Sequence, residues 1–289
     1  MKRYVWILGC LPILFLFSAC DFEPHVPVEM TSMSQSHPLG KEKSLDANIR
    51  FDIGSLEIFG EKSSAAYAVD LEYDKSSYQP ELRYDPPSGG DEGRLSFKLE
   101  STHRAGIRSE RHRNRLRLGL TNSVPIRINV NTGIGDARLN LSGLKVSRLD
   151  LESGVGGSKI SSYDPNPVVC DRIRIRNGVG SMDAVGLGNL NFRELEFEGG
   201  VGGANLDFTG RWEQDAEVRV QVGVGGVNLR MPRDVGVRVE AERHFLSGLH
   251  LDGFSKRDGY HYSDNYDKAK IHISVRVTTG VGGFKISWI

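Results

Sequence analysis

The chain has few cysteines, no excess of charge of either sign and no window with a convincing helical period. Two of its three cysteines, Cys10 and Cys20, lie within the first 20 of 289 residues, which leaves Cys170 alone in the body of the chain. The sequence therefore offers no disulfide framework and no cysteine-based metal cluster. Lys plus Arg and Asp plus Glu both number 37, so net charge selects no class of partner.

The N-terminal segment has the features of a secretory signal. Lys2 and Arg3 precede an apolar run that extends from Tyr4 to Phe17. This run is shorter than the ~20 apolar residues that a membrane-spanning helix needs. A charged start followed by a short apolar run is typical of a signal peptide, which we assign to residues 1–19.

The end of this segment resembles a bacterial lipobox, in which small residues precede a cysteine that is acylated. The sequence Leu16-Phe17-Ser18-Ala19-Cys20 carries the resemblance, although Phe17 stands where leucine is more usual. It predicts a lipid anchor on Cys20 and an extracytoplasmic place in the bacterial cell envelope. The alternatives are a plain signal peptide with a chance cysteine, or an uncleaved anchor. Residues 20–46, with two proline-containing clusters and no sustained period, are predicted to be a flexible tether.

A short glycine phrase recurs along the second half of the chain. It reads Gly-Ile-Gly once and then Gly-Val-Gly, at successive steps of 21, 24, 22 and 23 residues and a last step of 57. A fixed period in this range is typical of repeat architectures. The predicted corner glycines are Gly133, Gly135, Gly154, Gly156, Gly178, Gly180, Gly200, Gly202, Gly223, Gly225, Gly280 and Gly282.

Alternating apolar residues on both sides of each phrase predict strands. We therefore predict an all-β protein in which an irregular, β-sandwich-like module (47–123) precedes a parallel β-solenoid (124–289). The central residues Val155, Val179, Val201 and Val224 are expected to point inward, and the glycines to permit positive φ. A phosphate-binding loop at 154–159 is the competing interpretation. It would need a helix behind it, and a strand pattern follows instead.

Two further features of the sequence are candidate binding sites. Arg111, Arg113, Arg115 and Arg117 alternate, so on a strand they share one face and suit phosphate or carboxylate groups. The alternatives are a solvated strand face or an edge protected by charge.

The 57-residue gap before the last corner contains scattered histidines, acids and aromatics. Residues 240–270 within it are predicted to cap the repeat, the alternative being a ligand or metal site. The sequence predicts no catalytic residue, no metal site and no cofactor.

The order of the motifs resembles that of the bacterial "toast rack" family of unknown function. The segments that carry the resemblance are 49–58, 71–73, 80–82, 95–97, 125–130, 133–144, 253–254, 262–266 and 280–282. The C-terminal domain of cell-wall-active antibiotic response (LiaF-like) proteins and the proposed head-domain adhesins look like relatives. The resemblance implies an extracytoplasmic β-solenoid and transfers no catalytic residue to this chain.

The predicted function is that of a membrane-anchored, non-catalytic binding or structural module of the envelope, adhesin-like or linked to envelope stress. Its expected partners are the membrane and an acidic glycan, lipid head group or envelope protein, not nucleic acid. The alternative is an enzyme acting on an envelope or extracellular polysaccharide. That activity would need acids clustered on one strand face, whereas the repeat strands show scattered acids such as Asp150, Glu152, Glu194, Glu196 and Glu198. Alignment of these acids into one groove would favour the enzyme.

Overall fold

The computed structural model describes residues 28–87, 91–102, 114–243 and 247–289. Nineteen strands and two short 3-10 turns, Leu187–Leu190 and Tyr266–Lys268, make up its regular structure. The prediction of an all-β protein is therefore confirmed. Neither of the helical turns in this part of the chain has the length or apolar character needed to span a membrane.

The strands are numbered in chain order. Their bounds are β1 Met30–Pro38, β2 Ser44–Glu61, β3 Ala65–Asp74, β4 Tyr78–Asp85, β5 Glu92–Ser101, β6 Arg115–Thr121, β7 Pro125–Asn140, β8 Lys145–Val155, β9 Ser158–Ser161, β10 Cys170–Val179, β11 Met182–Val185, β12 Phe192–Val201, β13 Ala204–Asp207, β14 Ala216–Met231, β15 Gly236–Arg243, β16 Ser247–Leu251, β17 Phe254–Arg257, β18 Tyr260–Ser263 and β19 His272–Trp288.

Successive repeats pair side by side in parallel and in register. Before the corner the order is β2, β7, β8, β10, β12, β14, β19, β15. After the corner it is β2, β7, β9, β11, β13, β14, β19, β16. The sheet therefore turns at a column of stacked corners, and the apolar rows of both halves join one buried cluster.

The first strand of the column corrects the predicted division of the chain. β2 pairs in parallel with β7 along both halves, so Gly54 lies beside Gly135 and forms a corner of its own. The antiparallel strands β3 and β4 reach the column through β6 and β5, which pair with β2. Residues 47–123 and 124–289 consequently share one core.

The predicted tether needs a second correction. Residues 30–38 form β1, which pairs antiparallel with β3 along its length. Glu29 N–H also donates to the Asp74 carboxylate at 2.9 Å. A strand of polar residues escapes a search for apolar alternation because its binding to the sheet rests on backbone hydrogen bonds. Residues 20–27 lie outside the described part of the chain.

The last strands follow an order that chain position does not suggest. The C-terminal strand β19 lies between β14 and β15, so β15 and β16 together form the end of the column. The β17–β18 hairpin, which falls within the predicted cap, pairs with β15 at Arg238 and Val239. The apolar side chains that face the core here include Val237 and Val239, both fully buried.

The corner glycines are required for two different reasons. A Cβ on the first glycine of a corner would meet the carbonyl oxygen of the preceding corner, at 2.5 Å in the case of Gly178. The second glycine has a positive φ, 144° at Gly202, and its Cβ would lie 1.8 Å from the oxygen of Gly180. The first position of the first corner is occupied by Asp52; among the described residues, β5 pairs with β2 up to Phe51 and β6 pairs with it from Ser55 onward.

The central corner residues correct another expectation, because they point outward. Val155, Val179, Val201 and Val224 are 47–50% exposed, and Val281 is 46% exposed. The inward row ends at Ser153 and resumes at Ser158, so the four residues between them lie on the outside of the bend. Simple alternation fails here because the inside of a tight corner has no room for a side chain.

Candidate functional site

A charged face covers the strands that precede the corners. Strand β10 presents Arg172, Arg174 and Arg176 between the glutamates of β12 and a column on β8 that begins with Arg148 and continues with two acids. The residues opposite them on β12 are Glu194, Glu196 and Glu198, and those on β8 include Asp150 and Glu152. The strand register thus brings together the five acids that the polysaccharide-enzyme alternative required.

Each of these acids lies within ion-pair distance of an arginine. The Nε atoms of Arg172, Arg174 and Arg176 lie 3.1, 2.8 and 3.3 Å from an Oε2 atom of the facing glutamate on β12. Asp150 is 2.7 Å from Arg148, and Glu152 is 3.9 Å from Arg176. Glycosidases need one carboxyl group that stays protonated near neutral pH, and a neighbouring guanidinium favours the opposite state.

Glu194 shows this effect most clearly. Burial alone would raise the pKa of Glu194, but hydrogen bonds from Arg219 and Arg172, with their charges, hold it below the ordinary value. Glu194 is therefore a carboxylate that two arginines stabilise in its charged form. A carboxylate held in its charged form can contribute to a binding surface, but it is poorly suited to act as a proton donor.

Acidification should remove the contribution of this cluster to stability. Because the pKa of Glu194 is lower in the folded chain, its contribution is present above the unfolded value of about 4.3 and is lost as pH falls through the folded value. We expect Glu194→Gln to unfold at a lower temperature than the wild type at pH 7, with the difference shrinking below pH 4. Thermal unfolding across pH 3–7 measures this, and a difference independent of pH would contradict it.

A polar groove adjoins the charged face. It has a volume of about 300 Å³, and Asn48, Asn129 and Asn131 lie between the basic side chains of Arg50 and Arg174. Asn129 Nδ2 donates to Asn48 Oδ1 at 3.0 Å and to Asp46 Oδ1 at 3.2 Å. Asp150 and Glu152 also line the groove, so it presents amides, cations and carboxylates. Sequence reading missed it because 81 residues separate Asn48 from Asn129.

Only half of the predicted arginine row lies in the described part of the chain. Arg115 and Arg117 share the exposed face of β6, as expected, whereas Arg111 and Arg113 fall outside the described residues. Arg117 Nε is 2.9 Å from Glu57 Oε2, and its guanidinium lies 5.3 Å from the centre of the Phe59 ring. The row thus has an acidic neighbour on another strand, β2.

The region of the predicted cap contains aromatic side chains and ion pairs. Arg257 forms two hydrogen bonds with Asp267, at 2.9 and 3.2 Å, and lies 4.2 Å from the centre of the Tyr262 ring. Arg238 lies over Tyr260 at 5.1 Å. Within the described ranges, no group of three or more histidines, cysteines and acids is placed to hold a metal ion.

Of the two cysteines Cys20 and Cys170, only Cys170 lies in the described part of the chain. Cys170 is fully buried, and burial together with nearby Asp171 raises the pKa of its thiol to about 12. A thiol held in this neutral state is a poor nucleophile. Cys20, the predicted lipidation site, lies outside the described residues.

Solved structures with a similar fold include two bacterial proteins. One, a "putative cell adhesion protein" from Clostridium sporogenes ATCC 15579, is 18% identical with a TM-score of 0.50, covering 90% of this chain and 100% of that one. The other, a "putative adhesin" from Bacteroides fragilis NCTC 9343, is 13% identical with a TM-score of 0.41, covering 89% and 97%. At these identities the similarity concerns the fold alone.

No curated protein matches the chain. A family model does. The model described as the N-terminal domain of toast_rack, DUF2154, matches residues 26–184 and 166–230. These ranges include the strands from β1 to β13 and most of β14, and therefore more than half of the sequence. The chain belongs to this toast-rack family.

Proposed function

We propose that this protein is a lipid-anchored, extracytoplasmic module of the bacterial envelope that binds or supports other envelope components without catalysis. Its glycine-corner column would act as a rigid solenoid that presents long surfaces away from the membrane. The observation that carries the proposal is the pairing of Glu194, Glu196 and Glu198 with the arginines of β10. Aligned but neutralised acids support a recognition surface rather than a hydrolytic site.

A test for catalysis follows from this observation. Incubation of the full chain with bacterial envelope polysaccharides should leave the number of reducing ends unchanged, while the protein binds to envelope material. Release of new reducing ends that is abolished by Glu196→Gln would overturn the non-catalytic proposal. Arg193→Gln, which breaks the exposed Arg193–Asp171 pair at 2.8 Å, is a matched control for the loss of one surface ion pair.

The lipid anchor is tested separately at Cys20. We expect Cys20→Ser to abolish incorporation of labelled fatty acid and to shift the protein from the membrane fraction to an unprocessed precursor or a soluble form. Cys170→Ser should leave labelling unchanged, because the thiol of Cys170 is buried in the core. Failure of labelled fatty acid to enter the wild-type protein would show that the anchor is absent.

The arginine row gives a third proposal, which is binding to anionic envelope surfaces. Replacing Arg111, Arg113, Arg115 and Arg117 by glutamine should reduce co-sedimentation of the full chain with anionic vesicles and leave that with neutral vesicles unchanged. The binding should weaken as salt rises, because the screening length is ~8 Å at physiological ionic strength. Equal co-sedimentation of the wild type and the four-glutamine variant would mean that the row is only a solvated face.

A further inference from the structure

A second groove lies on the other side of the corners, near the C-terminal end of the column. Its volume is about 570 Å³. Its floor crosses four neighbouring strands at Gly203, Gly226, Gly283 and Gly248. At a strand spacing of ~4.8 Å the floor is roughly 14 Å long. We call this feature the glycine-floored groove.

The two sides of the groove differ in chemistry. On the corner side the half-exposed valines Val201, Val224 and Val281 precede the floor by two residues and are not part of the groove lining. On the other side the register aligns four polar residues across the strands: Asn205, Asn228, Lys285 and His250. A ligand that fills the groove therefore meets the open glycine floor and, on one flank, a row of polar side chains.

The backbone does not require glycine on this floor. A Cβ at Gly226 or Gly283 would meet only a carbonyl oxygen, at 3.8 or 3.9 Å, and neither residue has a positive φ. One repeat earlier, Ser181 occupies the corresponding position. The corner glycines differ in both respects, since their Cβ atoms would overlap a neighbouring backbone. Because these floor positions carry no side chains, the groove stays open. The fold itself does not require glycine there.

The charge in the groove is one-sided. Lys285 and His250 are exposed, and within the described part of the chain neither side chain has a hydrogen bond or an ion pair. No carboxylate is among the described residues that line the groove. Ser287 Oγ donates to Asn228 Oδ1 at 3.1 Å, so this hydrogen bond does not involve the Nδ2 group of Asn228. Asn205 Nδ2 already donates to Asp183 Oδ1 at 2.9 Å, so the polar wall offers mainly the Nδ2 group of Asn228 and the positive charge of Lys285.

We infer that the glycine-floored groove binds a carboxylated polysaccharide chain lying across the strands. A pyranose ring has a flat, apolar C–H face for the glycine floor, and hydroxyl groups for Asn205 and Asn228. Its carboxylate is complementary to Lys285. An acyl chain would leave the polar wall unpaired, and an extended peptide would pair along a strand edge rather than across the sheet.

This inference rests on the proposed function, since it names a site and a ligand class for a non-catalytic binding module. Its test is binding of polygalacturonate to the full chain in neutral detergent, with dextran as the uncharged polymer. We expect Gly226→Phe to weaken binding at least about tenfold, because the ring fills the groove. Ser181→Phe adds the same ring one repeat beyond the floor and should leave binding within about twofold.

A charge variant keeps the test decisive even if the added ring disturbs folding. Lys285→Gln should weaken binding about two- to fivefold and reduce its salt dependence. Lys159→Gln removes an equally exposed charge from the same row, outside the groove, and should have no effect. Unaltered binding by Gly226→Phe and Lys285→Gln, equal binding of dextran, or no binding by the wild type would overturn the inference. Shortening of the bound polymer would instead overturn the non-catalytic function and leave the site standing.

Discussion

Gly202→Ala should lower the unfolding temperature by roughly 10 °C, while Gly226→Ala should leave it nearly unchanged. Both substitutions add one methyl group to a glycine near a corner. At Gly202 the φ of 144° is close to inaccessible for alanine, and the added Cβ would lie 1.8 Å from the oxygen of Gly180. At Gly226 the nearest atom would be 3.8 Å away. We expect a loss of about 3 kcal/mol or more at the first site.

Thermal and denaturant unfolding of the two variants and the wild type measures this difference. A gap between them would show that the column depends on the close stacking of corners rather than on glycine content in general. If both variants unfold like the wild type, the corners are not packed as described. If both are equally destabilised, the chain does not tolerate a side chain at either position, and the open floor near Gly226 has a structural cause.

The position of the corners is the part of the fold that sequence predicts best. A repeat that stacks in register must place the same backbone conformation at a fixed interval, so the glycines that this conformation needs recur with the same period. The first corner was missed for a related reason. Asp52 stands opposite Gly133, in place of the first glycine, so the repeated phrase is incomplete there.

The direction of the central valines could not be predicted from alternation. Period-2 reasoning carries the inward row from Leu149 through Ser153 to Val155, but the bend inserts four outward residues before Ser158. A side chain at a corner follows the local turn rather than the strand on either side. The same four-residue insertion places Gly226 and Gly283 on the surface beside the valines, where they form the floor of a groove.

The charged face was partly within reach of sequence analysis. Arg172 and Glu194 are 22 residues apart, as are Arg174 and Glu196, which is close to the repeat period. Residues separated by one period lie on neighbouring strands, so these pairs could have been anticipated. The contact of Arg219 with Glu194 spans 25 residues, because it is diagonal: Glu194 pairs with Glu217, and Arg219 lies two residues further along β14. The contact of Asn129 with Asn48 spans 81 residues. Only the strand register reveals contacts of that kind.

A similarly large effect on stability is expected at Asn166, a buried asparagine that lies between two repeats. Asn166 is 7% exposed, and its Oδ1 accepts a hydrogen bond from Val146 N–H at 3.0 Å. Its Nδ2 donates to the carbonyl oxygens of Val146 and Leu190, at 2.7 and 3.0 Å. One amide therefore satisfies backbone groups of two neighbouring repeats that would otherwise be buried without partners.

Asn166→Asp keeps the shape of this side chain and removes both donors, so an ionised oxygen would face two carbonyl oxygens. We expect a loss of about 3–5 kcal/mol at pH 7, as for an uncompensated buried charge. Asn140→Asp is the matched control, because Asn140 is exposed and accepts a backbone hydrogen bond from Ser142 at 3.2 Å, which a carboxylate can also do. Its effect should be within about 0.5 kcal/mol.

The pH dependence separates this explanation from a simple packing defect. The folded chain should favour the protonated form of the new carboxyl, so its pKa would lie above the unfolded value of about 3.9. Where the folded state holds the proton more tightly, stability falls as pH rises through that range. Denaturant unfolding of Asn166→Asp should consequently show a smaller deficit at pH 4 than at pH 7. A deficit that is equal at both pH values would mean that lost packing, not the buried charge, causes the instability.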